Sequence, residues 1–245
     1  MLAVLCYGHV EAQVDIESIR RDGKAGLTGS IELDLTVRSG NVDLFEVGPG
    51  ILLSYVDSVY AILLVASGDV GWEGNERFSN EALGHLRYVH RISHRVYAES
   101  FIQANYDKSR RLNYRNLVGG GIRLNLVSTA GASLSLGSSY LFEHEQNGVP
   151  AGGRHPGATS VNRWNSYVGA RLKLSQNAVA SGTLYSQPNM SRFSDRRFLM
   201  EAKLTASVTD AVSLHTTVFF RHDSDPVDTI ARSDFRLSTG VSVGW

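Results

Sequence analysis

Cysteine is nearly absent from this chain: one, Cys6, stands in 245 residues, so no disulfide can form within it. Proline is scarce, five residues against 24 glycines, a ratio that suits extended chain with tight bends. Net charge is missing as well. The 24 Lys+Arg and 24 Asp+Glu sum to +0 with His neutral, which argues against a chain built to neutralise nucleic-acid phosphates or to coat an anionic surface. No nucleic-acid partner is expected. Long apolar runs are lacking too, since the stretch from Tyr60 to Ala66 falls far short of the roughly 20 residues a spanning helix needs. With 42% hydrophobic and 20% charged residues, the chain is nonetheless too apolar to be disordered.

What is present is alternation. From Leu27 onward, segments of roughly ten to fourteen residues with period 2 are separated by turn signals. Leu27, Ile31, Leu33, Leu35 and Val37 oppose Thr28, Ser30, Glu32, Asp34 and Thr36, and Ser39-Gly40-Asn41 then turns the chain. The grammar repeats to the final segment, where Phe235, Leu237, Val241, Val243 and Trp245 oppose Arg236, Ser238 and Ser242. Residues 59–67 and 178–187 carry no clear parity. About twelve strands result, an even number as in single-chain bacterial barrels. No linker or composition shift divides the series, so residues 27–245 are predicted to form one barrel. Met1 to Tyr7 resembles the end of a secretory apolar region, and Val10-Glu11-Ala12 a cleavage site. Residues 1–12 are therefore expected to be a signal-peptide remnant and 13–26 a periplasmic N-terminal segment. Leu5 before Cys6 argues against a lipidated cysteine.

Links after even strands are short, and those after odd strands are mostly longer, notably 68–76, 145–160, 188–195 and 224–232. This is the asymmetry of an up-and-down barrel in an outer membrane, with both termini at the short-turn, periplasmic rim. Segments of about ten residues match an apolar band roughly 25 Å tall. Aromatics cluster at segment ends: Phe45, Phe78, Tyr114, Trp164, Tyr185, Phe198, Phe220 and Phe235 near one rim, Tyr88 and Trp245 near the other. Rings with a polar edge prefer the headgroup level, so these are membrane-interface candidates. The other face is charged. Arg77, Arg87, Arg115, Arg123, Arg163, Arg171, Lys173, Arg197, Lys203, Arg221 and Arg236 share it with Glu81, Glu99, Asp107, Glu143, Glu201 and His85. A soluble barrel could not bury such a face, so the expected fold is an all-β transmembrane antiparallel barrel, apolar outside, with a polar, charged lumen.

Catalytic signals are weak. Gly119-Gly120-Gly121 is not followed by Lys-Ser/Thr, which excludes a P-loop, and Ser213 and His215 share a strand face without a defined third partner. His222, Asp223, Asp225 and Asp228 cluster near a loop, where Asp before Pro226 also serves a turn. No metal, cofactor or catalytic set is assigned. A salt-bridged lumen filling and a passive porin-like pore with opposing charge ladders are both open. A lipid- or lipopolysaccharide-modifying enzyme and a soluble lipocalin-like binder are the alternatives.

The stretches Gly29 to Leu35 with Ser39-Gly40-Asn41, His85-Leu86-Arg87-Tyr88, Glu99 to Asp107, Arg110-Arg111-Leu112 and Gly119 to Leu124 resemble the YdiY-type salt-induced outer membrane protein family, a domain family of unknown function. The resemblance implies an outer-membrane barrel of Gram-negative bacteria, linked to salt or osmotic stress, and supplies no catalytic or ligand residues. The expected surroundings are outer-membrane lipid and lipopolysaccharide, with a monomeric barrel. The closing strand ending at Trp245 is similar to the signal read by the barrel-assembly machinery.

Overall fold

Side chains on a strand point alternately to its two faces, so a run such as Leu33-Asp34-Leu35 can satisfy lipid and lumen at once. The structure, a computed structural model, describes residues 25–38, 44–73 and 76–245, without the side chains of 36–38, 44–45, 73 and 76–79. The expected segment 1–12, residues 13–24 of the expected segment 13–26, the turn at Ser39-Gly40-Asn41, and the side chains of Phe45, Arg77 and Phe78 lie outside that description, and Gly26 already belongs to the first strand. Within it are twelve strands and no helix: β1 (Gly26–Arg38), β2 (Leu44–Val56), β3 (Tyr60–Glu73), β4 (Glu76–Arg91), β5 (Val96–Asp107), β6 (Leu112–Ser128), β7 (Ala132–Asn147), β8 (Ala158–Lys173), β9 (Ala178–Asn189), β10 (Arg192–Ser207), β11 (Val212–Asp223) and β12 (Ser233–Gly244).

Each strand pairs antiparallel with its successor, and β1 pairs with β12 to close the ring. The closing register runs from Ser30↔Gly244 to Asp34↔Gly240. Beyond it, Gly29 and Trp245 exchange backbone hydrogen bonds of 3.1 and 3.0 Å. Closure leaves no strand edge in hydrocarbon, which an open sheet could not avoid. The exposed residues show which side is apolar: Leu204 and Leu237 are 49% and 60% exposed, while Arg123 and Glu201 are 1% and 9%.

The strands are longer than the turn signals suggest. β3 and β4 run to Glu73 and from Glu76, and β9 and β10 to Asn189 and from Arg192. The long links expected at 68–76 and 188–195 are therefore mostly strand. Gly68, Asp69 and Gly71 have loop composition, but Asp69 pairs with Glu81 and Gly71 with Ser79. Among the described residues two long connections remain at that rim, 148–157 and 224–232, and they touch. The Asp228 carboxylate accepts the backbone N–H of Arg154 at 2.5 Å and of His155 at 2.7 Å. These two donors favour the ionised form and hold the Asp228 carboxyl below the usual range.

The ambiguous segments are resolved. In β3, Ile62 and Leu64 face out and Leu63 is buried inside; in β9, Leu184 faces out while Thr183, Tyr185 and Gln187 are buried inside. Tyr185 is thus a lumen residue and not an interface aromatic.

Candidate functional site

The inward face is charged, but it is also apolar in part and largely buried. Leu83, Phe101, Leu117, Leu141, Leu199 and Phe219 are buried within the wall, with Tyr167 and Tyr185. Phe101, Leu117 and Leu141 form one cluster, and Tyr167, Tyr185, Leu199 and Phe219 another. Two glycines make room for these rings. A Cβ at Gly119 would lie 2.4 Å from the Phe101 ring, and one at Gly137 would lie 2.0 Å from the Tyr167 ring. Glycines inside a strand let it bend or accept a close neighbour. The close approach is what the structure shows at Gly119, on the lumen side.

Above these rings, toward the loop rim, stands a charge network centred on Glu143, which is 0% exposed. Its carboxylate accepts from Arg115 Nε at 2.9 Å, Arg163 Nε at 3.0 Å and Arg197 Nη1 at 2.6 Å. Arg197 also reaches Glu145 at 2.8 Å and Asp223 at 2.7 Å. Arg163 bonds Asp195 at 3.1 Å, and Arg221 reaches the same Asp223 oxygen at 3.1 Å. β6, β7, β8, β10 and β11 are tied together inside the barrel by these contacts. Leaving any one of these charges unpaired would cost several kcal/mol (about 3–5).

The β1 side of the lumen has its own pairs. Lys203 donates to both oxygens of Glu32 at 2.8 and 2.7 Å, and His215 Nε2 lies 3.2 Å from Asp34. Arg236 bonds Asp69 at 3.1 Å and lies 3.7 Å from the buried Glu81. Asp107 accepts from Ser109 at 2.6 Å and from the backbone of Arg110 at 3.2 Å. Glu201 is buried on the same face.

Toward the short-turn rim the filling thins. Glu99 Oε2 accepts from Arg87 Nη1 at 2.9 Å and from the Tyr167 hydroxyl at 2.7 Å. Its other oxygen lies 2.9 Å from Arg123 Nη1. His85 Nδ1 meets Gln103 at 3.0 Å, and its Nε2 receives Arg87 Nε at 3.3 Å. Below them opens a cavity of about 560 Å³ whose lining includes Arg87, Arg91, Arg123, Arg171 and Lys173.

Of the interface candidates, Tyr88, Tyr114, Trp164, Phe235 and Trp245 are exposed on the outer face, and Phe198 and Phe220 are half-buried there. Tyr60 stacks on Tyr88 at 6.0 Å near the short-turn rim, and Tyr114 meets His144 at 5.9 Å near the other. Ser213 Oγ donates to Ser207 Oγ at 3.3 Å, and no Ser213–His215 bond is found among the described residues. The loop acids have other partners: Arg197 and Arg221 hold Asp223, Arg192 holds Asp225, and backbone N–H groups hold Asp228. Among the described residues no three His, Cys, Asp or Glu come together as metal ligands.

Glu145, Asp195 and Asp69 were missed because they fall in stretches that read as loop. Parity continued past the turn signals would have found them, since Glu145 follows Glu143 and Asp195 precedes Arg197 by two residues.

A closed antiparallel ring with an apolar exterior and an ionised, packed interior defines a transmembrane β-barrel. The chain belongs to the family described as "Protein of unknown function, DUF481", whose model matches residues 31–245. No curated protein matches the sequence. Among solved structures, the NanC porin is similar at 12% identity, over 87% of this chain and 98% of that one, with a TM-score of 0.55. That likeness shows a shared fold. A KdgM porin in complex with disordered oligogalacturonate is similar at 13% identity, over 87% and 98% of the two chains, with a TM-score of 0.48. The translocator domain of the autotransporter NalP from Neisseria meningitidis has 11% identity, 94% and 91% coverage, and a TM-score of 0.47.

Proposed function

We propose that this chain is an outer-membrane envelope barrel whose lumen is closed, a structural barrel rather than a passive pore in the conformation described. The supporting observation is Glu143, fully buried inside the ring and held by Arg115, Arg163 and Arg197 from both sides. A water-filled channel leaves its lining wet; here the guanidiniums at that level are buried. Outer-membrane location rests on the exposed apolar exterior and the porin-type fold, and the short-turn rim, where β1 starts and β12 ends, is proposed to face the periplasm.

Planar-bilayer recording of the refolded protein tests the reading. Silence, or rare brief openings, is expected at moderate voltage. A steady ohmic conductance would overturn closure and favour the pore, and its reversal potential in asymmetric salt would give the sign of the permeant ion. The reading contains no chemical step, so turnover of lipopolysaccharide by the purified protein would overturn that part. A role in salt stress, which the YdiY-type resemblance implies, predicts a higher protein level after raised NaCl; an unchanged level would remove it.

A further inference from the structure

We propose that the cavity at the short-turn rim is a binding site for a small oxyanion-bearing solute, one that presents a carboxylate or phosphate group. The inference does not depend on whether the lumen conducts, because the cavity lies below the packed rings and opens at one end.

Among the residues lining the 560 Å³ space, Arg87, Arg91, Arg123, Arg171 and Lys173 are cationic and Asp57 is the one acid. Glu99 lies beside the cavity, but Arg87 and Arg123 share that single carboxylate, so two buried guanidiniums divide one negative charge. Both are 1% exposed. Arg87 Nη2 and Arg123 Nε and Nη2 have no hydrogen-bond partner among the described residues. A guanidinium presents five donors in a fixed fork that matches a carboxylate or phosphate edge; three of these nitrogens lack an acceptor but are buried, so a solute meets Arg91 and Lys173 first and gains Arg123 as that side chain turns toward the cavity it lines.

The rest of the wall suits a polar solute. Arg123 lies over the Tyr97 ring at 4.5 Å, and Thr28, Ser54, Ser128 and Thr129 contribute hydroxyls. Lys173 and Arg91 stand exposed at the mouth, where unpaired cations raise the local concentration of anions. The cavity lies inside the wall and the acyl chains outside it, so a free solute, and not a lipid headgroup, is the occupant.

Isothermal titration calorimetry on the refolded barrel in a non-ionic detergent tests this, with inorganic phosphate and citrate as probes at low salt. Saturable binding of at least one probe is expected. Arg91→Gln combined with Lys173→Gln should weaken it severalfold, because both side chains are exposed at the mouth and outside the packed network. Arg123→Gln should weaken it at least tenfold, provided heat-modifiable migration shows a folded barrel. Absence of saturation by either probe up to tens of millimolar, in folded protein, would overturn the proposal. So would binding that the Arg91→Gln/Lys173→Gln variant leaves unchanged. If phosphate binds and planar-bilayer recording also shows steady current, the site survives while the closed-lumen reading falls.

Discussion

Near the loop rim, Arg115, Arg163, Arg197 and Arg221 meet Glu143, Glu145, Asp195 and Asp223 within hydrogen-bond reach, whereas near the short-turn rim five cations face Asp57 around a cavity. The first region is charge-balanced and packed, and the second is charge-excessive and open. A chain whose formal charge sums to +0 is therefore neutral only as a whole. Balanced ions are spent on holding strands together, since each needs its partner to offset desolvation. Around the cavity Arg87 and Arg123 share one carboxylate, Glu99, while Arg91 and Lys173 stand exposed at its mouth, and that excess of positive charge over a void is what gives the region meaning for binding.

The sharpest way to break the contrast is at its balanced end. Glu143→Ala leaves three buried guanidiniums without their shared acceptor and should cost about 3–5 kcal/mol, read as a lowered urea midpoint of the refolded barrel in micelles. An unchanged midpoint would mean the network is not as dry as its burial says. The ring layer between the two regions comes next. Gly137→Val drives a side chain into Tyr167 and should cost roughly 1–3 kcal/mol by overpacking; adding Tyr167→Ala should relieve the clash in a double-mutant cycle. At the open end, Arg91→Gln with Lys173→Gln should shift stability by no more than about 0.5 kcal/mol. A large loss of stability there would erase the contrast.

The smallest expected effect lies outside the membrane-spanning wall. Asp228 has its carboxyl pKa lowered in the folded chain by the N–H groups of His155 and Arg154. Its contribution to joining the loops 148–157 and 224–232 is present above the unfolded carboxylate pKa, about 4, and is lost as pH falls through the lowered folded value. Limited proteolysis of residues 148–157 should be slow at neutral pH and faster in acid, and Asp228→Asn should flatten that dependence. Equal cleavage at both pH values in the parent protein would show that other contacts hold the loops.

Much of the wall was legible along the chain. Ile31, Leu33 and Leu35 repeat every second residue, and they are exposed on the outer face because a strand's facing is set by its own covalent geometry. The lumen was legible only by default. Parity assigns Leu141, Leu199 and Phe219 to the inner face as readily as Arg163 or Glu143, but it does not say whether that face is wet. In residues 59–67 both parities are apolar, so the local pattern could not choose between Leu63 and Leu64. Polar, glycine-containing strand ends such as Gly68-Asp69 looked like loop because their partners are needed to make them strand.

The sequence by itself determined a ladder of twelve alternating segments, their antiparallel order and the apolar side of the wall, since period 2, turn residues and segment length are all local quantities. Tertiary structure decided that β1 meets β12, that Lys203 reaches Glu32 although 171 residues separate them, and that arginines crowd one carboxylate at one end while facing a void at the other. Those outcomes depend on which strands curve to face each other across the ring, and no single strand contains that information.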